Sequence, residues 1–204
     1  MVTLHCAAAP GDPTRTEQAV ALLRETFGAE EAALAGRQLS GAEAAYNADT
    51  LFFAMEHGRM LGTCHLTVCL RSGHGGISGL CVRPECRGSG VGSKLFGMAV
   101  ETFDRTGGEL LYLGTNNPAA ARIYRGFGFA FETGSNVMCR GKRLSLDSVY
   151  AKQPQIGAVE YADASLRIGI IPLALQRGSA MLKDANTGLF DSALFTQHSC
   201  MRLY

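Results

Sequence analysis

The chain is 204 residues long, with 19 basic residues, 18 acidic residues and 47% hydrophobic residues. This length allows a full hydrophobic core in one large domain or in one domain with an appendage, and the balanced charge excludes the electrostatic footprint of a nucleic-acid-binding or membrane-surface protein. The sequence has no basic start followed by an apolar run and no stretch near the roughly 18 apolar residues of a membrane helix, so we expect a soluble, cytoplasmic protein.

The N-terminal part predicts a strand followed by two helices. The strand covers residues 3–8. Asp12 followed by proline is a helix start, because an acidic N-cap accepts a backbone hydrogen bond and proline suits the first turn. Apolar residues then recur at helical spacing up to Gly28, which ends the helix. A second, weaker helix is predicted over residues 30–39.

Beyond residue 50 the apolar period changes to that of strands. Three strands are predicted over residues 51–56, 60–70 and 77–82, and the short turns between them make neighbouring strands antiparallel. Cys64 and His65 lie side by side on the second strand and therefore point to opposite faces. The seven cysteines are an odd number without the density of a disulfide scaffold, which favours reduced thiols. We predict no metal site.

The following part alternates helices and strands. An amphipathic helix is predicted over residues 91–103, a buried strand over 110–113 and a helix over 118–125. Two closing strands follow over residues 127–132 and 136–140. This order predicts an α/β (α+β) fold in which a mixed sheet carries helices on both faces.

A glycine-rich segment joins the third strand of the hairpin region to the next helix. Residues 82–93 read Val-Arg-Pro-Glu-Cys-Arg-Gly-Ser-Gly-Val-Gly-Ser. Glycine lets the backbone approach a ligand, and amides at a helix start stabilise an anion. Ser93 separates Gly92 from Lys94, so the phosphate loop of nucleotide hydrolases does not match, and it stands where the dinucleotide fingerprint needs a glycine. The segment therefore predicts a pyrophosphate cradle, with a flexible turn as the alternative.

A second motif lies on the predicted helix over residues 118–125 and just beyond it. Asn117, Ala120 and Tyr124 are three and four residues apart and share one helix face. Gly128 and Phe129 complete the pattern Asn-x-x-Ala-x-x-x-Tyr-x-x-x-Gly-Phe.

With these two motifs the chain resembles the GCN5-related N-acetyltransferase (GNAT) family. Arg87, Gly90 and Gly92 meet the family signature Arg/Gln-x-x-Gly-x-Gly/Ala. The likeness covers about residues 1–140, and residues 80–129 carry nearly all of its specificity. It implies a mainly antiparallel central sheet with one splayed parallel pair and helices on both faces.

The resemblance also implies acetyl-CoA (coenzyme A) as the cosubstrate, without a metal. Main-chain groups of Leu80, Cys81 and Val82 would hydrogen-bond the pantetheine arm, and Asn117 would contact the cofactor from the other side. The pyrophosphate would be held by Arg87, Gly88, Ser89, Gly90, Val91, Gly92 and Ser93.

The implied chemistry is direct attack of an amine on the thioester, with Tyr124 as the general acid that protonates the departing thiolate. Many family members carry a carboxylate on or near the fourth strand that deprotonates the amine, but residues 57–84 of this chain contain none. His65, His74 and Glu56 are the candidate bases, and His65 is favoured among them. Deprotonation by bulk water, or a low substrate pKa, is the alternative.

Residues 143–204 form a C-terminal extension after an acetyltransferase domain over residues 1–142. Leu166, Ile168 and Ile170 alternate as strand residues do. The extension is either a partial second GNAT-like unit or an appended segment that covers apolar surface. Its apolar content is compatible with a homodimer.

These expectations describe an acyl-CoA-dependent N-acetyltransferase that acts on a primary amine. A small-molecule acceptor is favoured, because nothing in the sequence marks a peptide groove or a charged docking surface. The alternative is a non-catalytic acyl-CoA-binding or regulatory module with a C-terminal interaction segment.

Overall fold

The structure is a computed structural model that describes residues 1–132, 136–141 and 163–169. Its elements follow the predicted order. They are β1 (Thr3–Ala8), α1 (Pro13–Phe27), α2 (Ala29–Leu39), β2 (Asn47–Glu56), β3 (Arg59–Cys69), β4 (Gly75–Val82), a 3-10 turn (Pro84–Cys86), α3 (Val91–Arg105), β5 (Leu110–Gly114), α4 (Pro118–Gly126), β6 (Ala130–Phe131) and β7 (Val137–Gly141).

The seven strands form one sheet in the order β1-β2-β3-β4-β5-β7-β6. Every neighbouring pair is antiparallel except β4 and β5, which run parallel. Only Gly75 and Gly76 of β4 are paired in register with β5, so the two strands diverge after residue 76. The predicted fold class, including the splayed parallel pair, is confirmed.

A β-bulge lies in β4 at the point where it leaves β5. Thr63 pairs with Cys81, and His65 pairs with Ser78. An advance of two residues on β3 therefore matches three residues on β4, so β4 carries the extra residue. The extra residue allows Gly79 to adopt a φ of 59°, which a side chain would disfavour. The bulge therefore lies in the part of β4 that no longer pairs with β5.

Helices cover both faces of the sheet. Neighbouring residues of β2 divide between the faces, since Phe52 packs with α3 and α4 while Leu51 packs with α1 and α2. Cys64 belongs to the α3 face, and His65 lies on the α1 face, as the alternation of β3 predicts. Of the described helices, none has the length and apolar character needed to span a membrane.

Three predicted elements differ from the structure. β2 begins at Asn47, four residues before the predicted start of that strand. The strand predicted over residues 127–132 is reduced to Ala130–Phe131, because Phe127 caps α4 and Gly128 turns with a φ of 86°. Residues 166–169 form a helical turn and not the expected strand. The apolar alternation does not match burial, because Arg167 and Ile168 are both buried while Leu166 is exposed. Ile170 lies outside the described residues.

Candidate active site

The glycine-rich segment leads from β4 into the N-terminus of α3. Gly88 and Gly90 both adopt positive φ angles, 77° and 81°, and Gly90 is the N-cap of the helix. No side chain caps α3 within the described part of the chain, so its first-turn amides are not committed to a side-chain acceptor. An exposed row of amides at a helix N-terminus is suited to an anion.

Two hydrogen bonds hold the shape of this segment. Arg87 donates from Nε to the carbonyl of Val82 at 3.2 Å, and Ser89 donates from Oγ to the carbonyl of Cys86 at 2.6 Å. Residues 87–90 are exposed, so the Arg87 guanidinium remains open to solvent beside the amides. Positive charge and uncapped amides therefore lie together at the open end of the β4–β5 gap.

The wall of the gap is formed by the last three residues of β4. Leu80 and Val82 are half-buried and pack against the core on the α3 face. Cys81 points to the opposite face, where burial raises the pKa of its thiol and its Sγ lies 3.2 Å from Thr63 Oγ1. Because these side chains point to the two faces of the sheet, the main chain of residues 80–82 is the part of β4 that a ligand in the gap can contact.

Tyr124 lies on α4 and is buried on the α3 face. Its ring packs against Phe96 of α3 and Phe129, with centroid distances of 4.6 Å and 6.4 Å. Burial raises the pKa of the Tyr124 phenol far above its ordinary value, and Cys64 adds to the shift. The phenol is therefore fully protonated at neutral pH.

Asn117 is the N-cap of α4. Its side-chain oxygen accepts hydrogen bonds from the amides of Ala119 and Ala120, at 2.9 Å and 3.4 Å. The same residue thus starts the helix that carries Tyr124.

His65 lies under α2 in a buried polar cluster that the sequence analysis missed. Its Nε2 atom is 3.1 Å from Oδ1 of Asp49 on β2. Nε2 has no hydrogen-bond partner among the described residues, so the contact with the Asp49 carboxylate is electrostatic. Thr67 donates to the same oxygen at 2.6 Å.

The Asp49 carboxylate is ionised in this cluster. Burial alone would raise the pKa of Asp49, but its contacts with His65 and Thr67, together with the charge of Arg167, outweigh burial and lower the pKa below its usual value. The sequence offered Glu56 as the candidate carboxylate, since residues 57–84 contain none. Asp49 lies outside this range and reaches His65 across the β2–β3 register.

The other candidate bases lie elsewhere. Glu56 is at the opposite end of β2 from Asp49 and pairs with the N-terminal amino group at 3.2 Å. His74 is half-buried beside Tyr112, with a centroid distance of 6.4 Å, and burial lowers the pKa of its imidazole. The structure brings neither of them into the His65 cluster. No group of three metal-binding side chains occurs in the part of the chain that the structure describes.

Comparison with known proteins defines the class of this protein. The model of the acetyltransferase (GNAT) family matches residues 16–129, more than half of the chain. The chain therefore belongs to the GNAT family of acetyltransferases, which transfer an acetyl group from acetyl-CoA to amine acceptors. No protein of curated function matches the chain in sequence.

Solved structures show the same fold. A protein from Desulfovibrio desulfuricans, described as an acetyltransferase of the GNAT family, is similar with a TM-score of 0.58 and 21% identity over 69% of this chain and 99% of its own. An acyl-CoA N-acyltransferase from Pseudomonas aeruginosa gives 0.55 and 21%, over 69% and 100%. The ribosomal-protein-S18-alanine N-acetyltransferase from Escherichia coli gives 0.53 and 16%, over 76% and 100%.

Proposed function

We propose that this chain transfers the acetyl group of acetyl-CoA to the primary amine of a small molecule by direct attack. The observation that carries the proposal is the β4–β5 gap, which opens after Gly76 and ends at the uncapped N-terminus of α3. The amine nitrogen bonds to the thioester carbonyl carbon and the carbon–sulfur bond breaks. The nitrogen loses one proton to a base or to water, and the departing thiolate takes up one proton, so no net proton is released.

The cofactor-binding residues are those of the gap and the glycine-rich segment. Main-chain groups of residues 80–82 bind the pantetheine arm, Arg87 and the amides of residues 88–93 bind the pyrophosphate, and Asn117 contacts the cofactor near the start of α4. The positive φ of Gly90 and the exposed guanidinium of Arg87 support this assignment.

Tyr124 is the proposed general acid. Its raised phenol pKa keeps the proton in place until sulfur becomes negative. A thiol has a pKa of about 8.5, below the roughly 10 of an unperturbed phenol, so complete transfer to the thiolate is uphill. Tyr124 therefore first donates a hydrogen bond to the departing sulfur, transfers its proton against this difference in pKa, and regains a proton from solvent.

His65 is the proposed side-chain base, with water as the competing acceptor of the amine proton. It lies on the face of the sheet opposite Tyr124, one residue along β3 from Cys64. The His65 ring is buried, so a neighbouring polar side chain must move before a substrate can reach Nδ1 and give it a proton. A His65→Gln variant that keeps the wild-type rate at every pH would assign the proton to water.

The test measures cofactor binding and turnover separately. Calorimetry is expected to detect acetyl-CoA binding that Arg87→Glu weakens by at least about tenfold, while Arg105→Glu, at the far end of α3 and exposed, leaves it unchanged. Thiol release is then followed with small primary amines and with peptides of free N-terminus. Thiol release with small amines supports the proposal, and thiol release only with peptides would show that the acceptor is a protein. Acetyl-CoA binding without thiol release supports a non-catalytic module.

The C-terminal extension over residues 143–204 is proposed to dock on the acetyltransferase domain over residues 1–142. Its described part supports this assignment, because the side chain of Ile168 packs in one apolar cluster with Leu110 of β5 and Cys139 of β7.

A further inference from the structure

The gap between β4 and β5 is closed on one face of the sheet by the apolar core. Ile77 of β4 and Leu111 and Leu113 of β5 are buried in the core cluster on the α3 face. Close-packed side chains leave no room for a second substrate there. An acceptor therefore has to approach the gap from the opposite face, on which His65 lies.

Ser78 of β4 carries an accessible hydroxyl on this opposite face. It pairs with His65 across the two strands, and directly paired residues point to the same face. Its side chain is half-buried, whereas its neighbours Ile77 and Gly79 are buried. No hydrogen bond engages the hydroxyl within the part of the chain that the structure describes. A hydroxyl offers one donor and two acceptor lone pairs, so Ser78 can bind a ligand there.

Ser78 lies where the proposed binding mode puts the thioester. The pyrophosphate binds at residues 88–93, and the pantetheine arm runs back along residues 80–82. The acetyl group follows in the same direction, at the bulge beside Ser78, in the part of β4 that no longer pairs with β5. An amine that attacks the acetyl group from the His65 face therefore passes the Ser78 hydroxyl.

The C-terminal extension closes this face of the sheet next to Ser78. A row of paired residues crosses the sheet two residues before Ser78, and Arg167 and Ile168 lie over its two ends. Arg167 is 3.9 Å from Asp49, and Ile168 packs in one apolar cluster with Tyr112. Two residues of a strand span about 7 Å, which is the distance from Ser78 to this boundary. The row consists of Asp49, Thr67, Gly76, Tyr112 and Cys139.

Buried polar contacts hold residues 163–169 at this boundary. The Arg167 side chain is fully buried and donates to Oε2 of Glu43 from Nε and from a terminal nitrogen, at 3.1 Å and 2.7 Å. Asn47 and Cys69 donate to backbone carbonyls of the segment, at 2.9 Å and 3.4 Å. Separating a buried guanidinium from its carboxylate is strongly destabilising, so the segment forms a fixed wall.

We propose that Ser78 is an acceptor-binding residue, whose hydroxyl accepts a hydrogen bond from the acceptor amine in a pocket that residues 163–169 close at its far end. The pocket selects a primary amine on a short chain, because a longer chain meets the wall about 7 Å beyond Ser78. The position of the thioester in this assignment rests on the proposed function.

The hydroxyl is tested by two variants of the same shape in the full chain, Ser78→Thr and Ser78→Val. Thiol release is measured with acetyl-CoA and propylamine. We expect Ser78→Val to raise the KM for propylamine by about tenfold, because a hydrogen bond to the amine is lost, and to leave the KM for acetyl-CoA unchanged. Ser78→Thr keeps the hydroxyl and should stay near wild type. The exposed control Ser40→Val should also match wild type. A wild-type KM for propylamine in Ser78→Val overturns the inference.

The wall is tested with linear primary amines from methylamine to octylamine. Wild-type kcat/KM is expected to fall with chain length. Ile168→Ala removes a buried side chain of the wall and should raise kcat/KM for octylamine relative to propylamine by about tenfold. Ile168→Val should give a smaller change in the same direction and replaces it if Ile168→Ala does not fold. Leu166→Ala, at an exposed position of the same segment, is the control. An unchanged length profile in the folded Ile168 variant overturns the closed pocket.

Amine binding without transfer separates this inference from the proposed function. Saturation-transfer NMR detects the same amines on the chain saturated with coenzyme A. Amine binding that Ser78→Val weakens, without thiol release in any protein, removes only the enzymatic proposal. Thiol release with equal amine binding in Ser78→Val and Ser78→Thr removes only the acceptor site. A wild-type chain that binds none of the amines also overturns the acceptor site.

Discussion

The ring of Tyr124 lies 4.6 Å from the ring of Phe96, with the two planes tilted by 37°. Phe96 is fully buried on α3, the helix whose N-terminus begins at Gly90. One rigid helix therefore positions both the proposed pyrophosphate cradle and the proposed acid. The spacing between the two ends of the site depends on the packing of α3 and not on a loop.

Replacing Tyr124 by Phe tests the role of the hydroxyl without removing the ring contacts. We expect turnover to fall by about 100-fold, within the range typical of general acid–base groups, while acetyl-CoA affinity and melting temperature stay close to wild type. Steady-state kinetics with thiol detection measures turnover, calorimetry measures acetyl-CoA affinity, and thermal unfolding measures the melting temperature. The half-exposed Tyr46 provides the control, Tyr46→Phe. Full activity in Tyr124→Phe would remove the phenol from the mechanism.

Replacing Gly90 by Ala tests the cradle. Its φ of 81° makes a side chain cost about 1–2 kcal/mol of stability. Gly107, just past the other end of α3, has a φ of 77° and equally open surroundings among the described residues, so Gly107→Ala matches the strain. We expect similar melting temperatures for the two variants. Only Gly90→Ala should weaken acetyl-CoA binding, by about tenfold or more, because amide–phosphate hydrogen bonds are lost. Equal affinities would place the pyrophosphate elsewhere.

Most helices and strands were predictable because their signals are local, whereas the splayed parallel pair was expected from the family resemblance alone. Asp12 and proline start α1, Gly28 ends it, and strand alternation places Cys64 and His65 on opposite faces. The error at residues 166–169 has a physical cause. Alternation of Leu166 and Ile168 suits a strand, but the buried guanidinium of Arg167 needs Glu43, a partner that no local pattern reveals.

The polar cluster around His65 was not predictable from spacing. Asp49 and His65 are brought together by the β2–β3 register, and Arg167 joins them from more than a hundred residues along the chain. Asp49 also lies before residue 51, where the predicted strand begins, so its burial in β2 was not evident from the sequence. Recognising its partner required the three-dimensional structure.

Gly108 is a position where any side chain should destabilise the fold. A Cβ atom there would overlap the buried ring of Phe103 and lie 2.7 Å from the carbonyl oxygen of Gly73. We expect Gly108→Ala to lower the free energy of unfolding by about 2 kcal/mol, in the range of overpacked cores, and the melting temperature by roughly 4–8 °C. Gly126→Ala, which meets no described atom within 4 Å, serves as the control. Wild-type stability in Gly108→Ala would show that Phe103 can shift without cost.

His74 should make stability depend on pH below neutrality. Burial lowers the pKa of His74 below its ordinary value of 6.5, and the negative charge of Glu109 opposes part of this shift. The unfolded chain therefore binds a proton more readily than the folded chain as the pH falls below 6.5, so acid favours unfolding. We expect His74→Gln to gain stability over wild type between pH 7 and pH 5, measured by urea unfolding. Glu109→Gln removes the opposing charge, so this variant should lose more stability than wild type as the pH falls. A stability difference between His74→Gln and wild type that stays constant over this pH range would contradict the prediction.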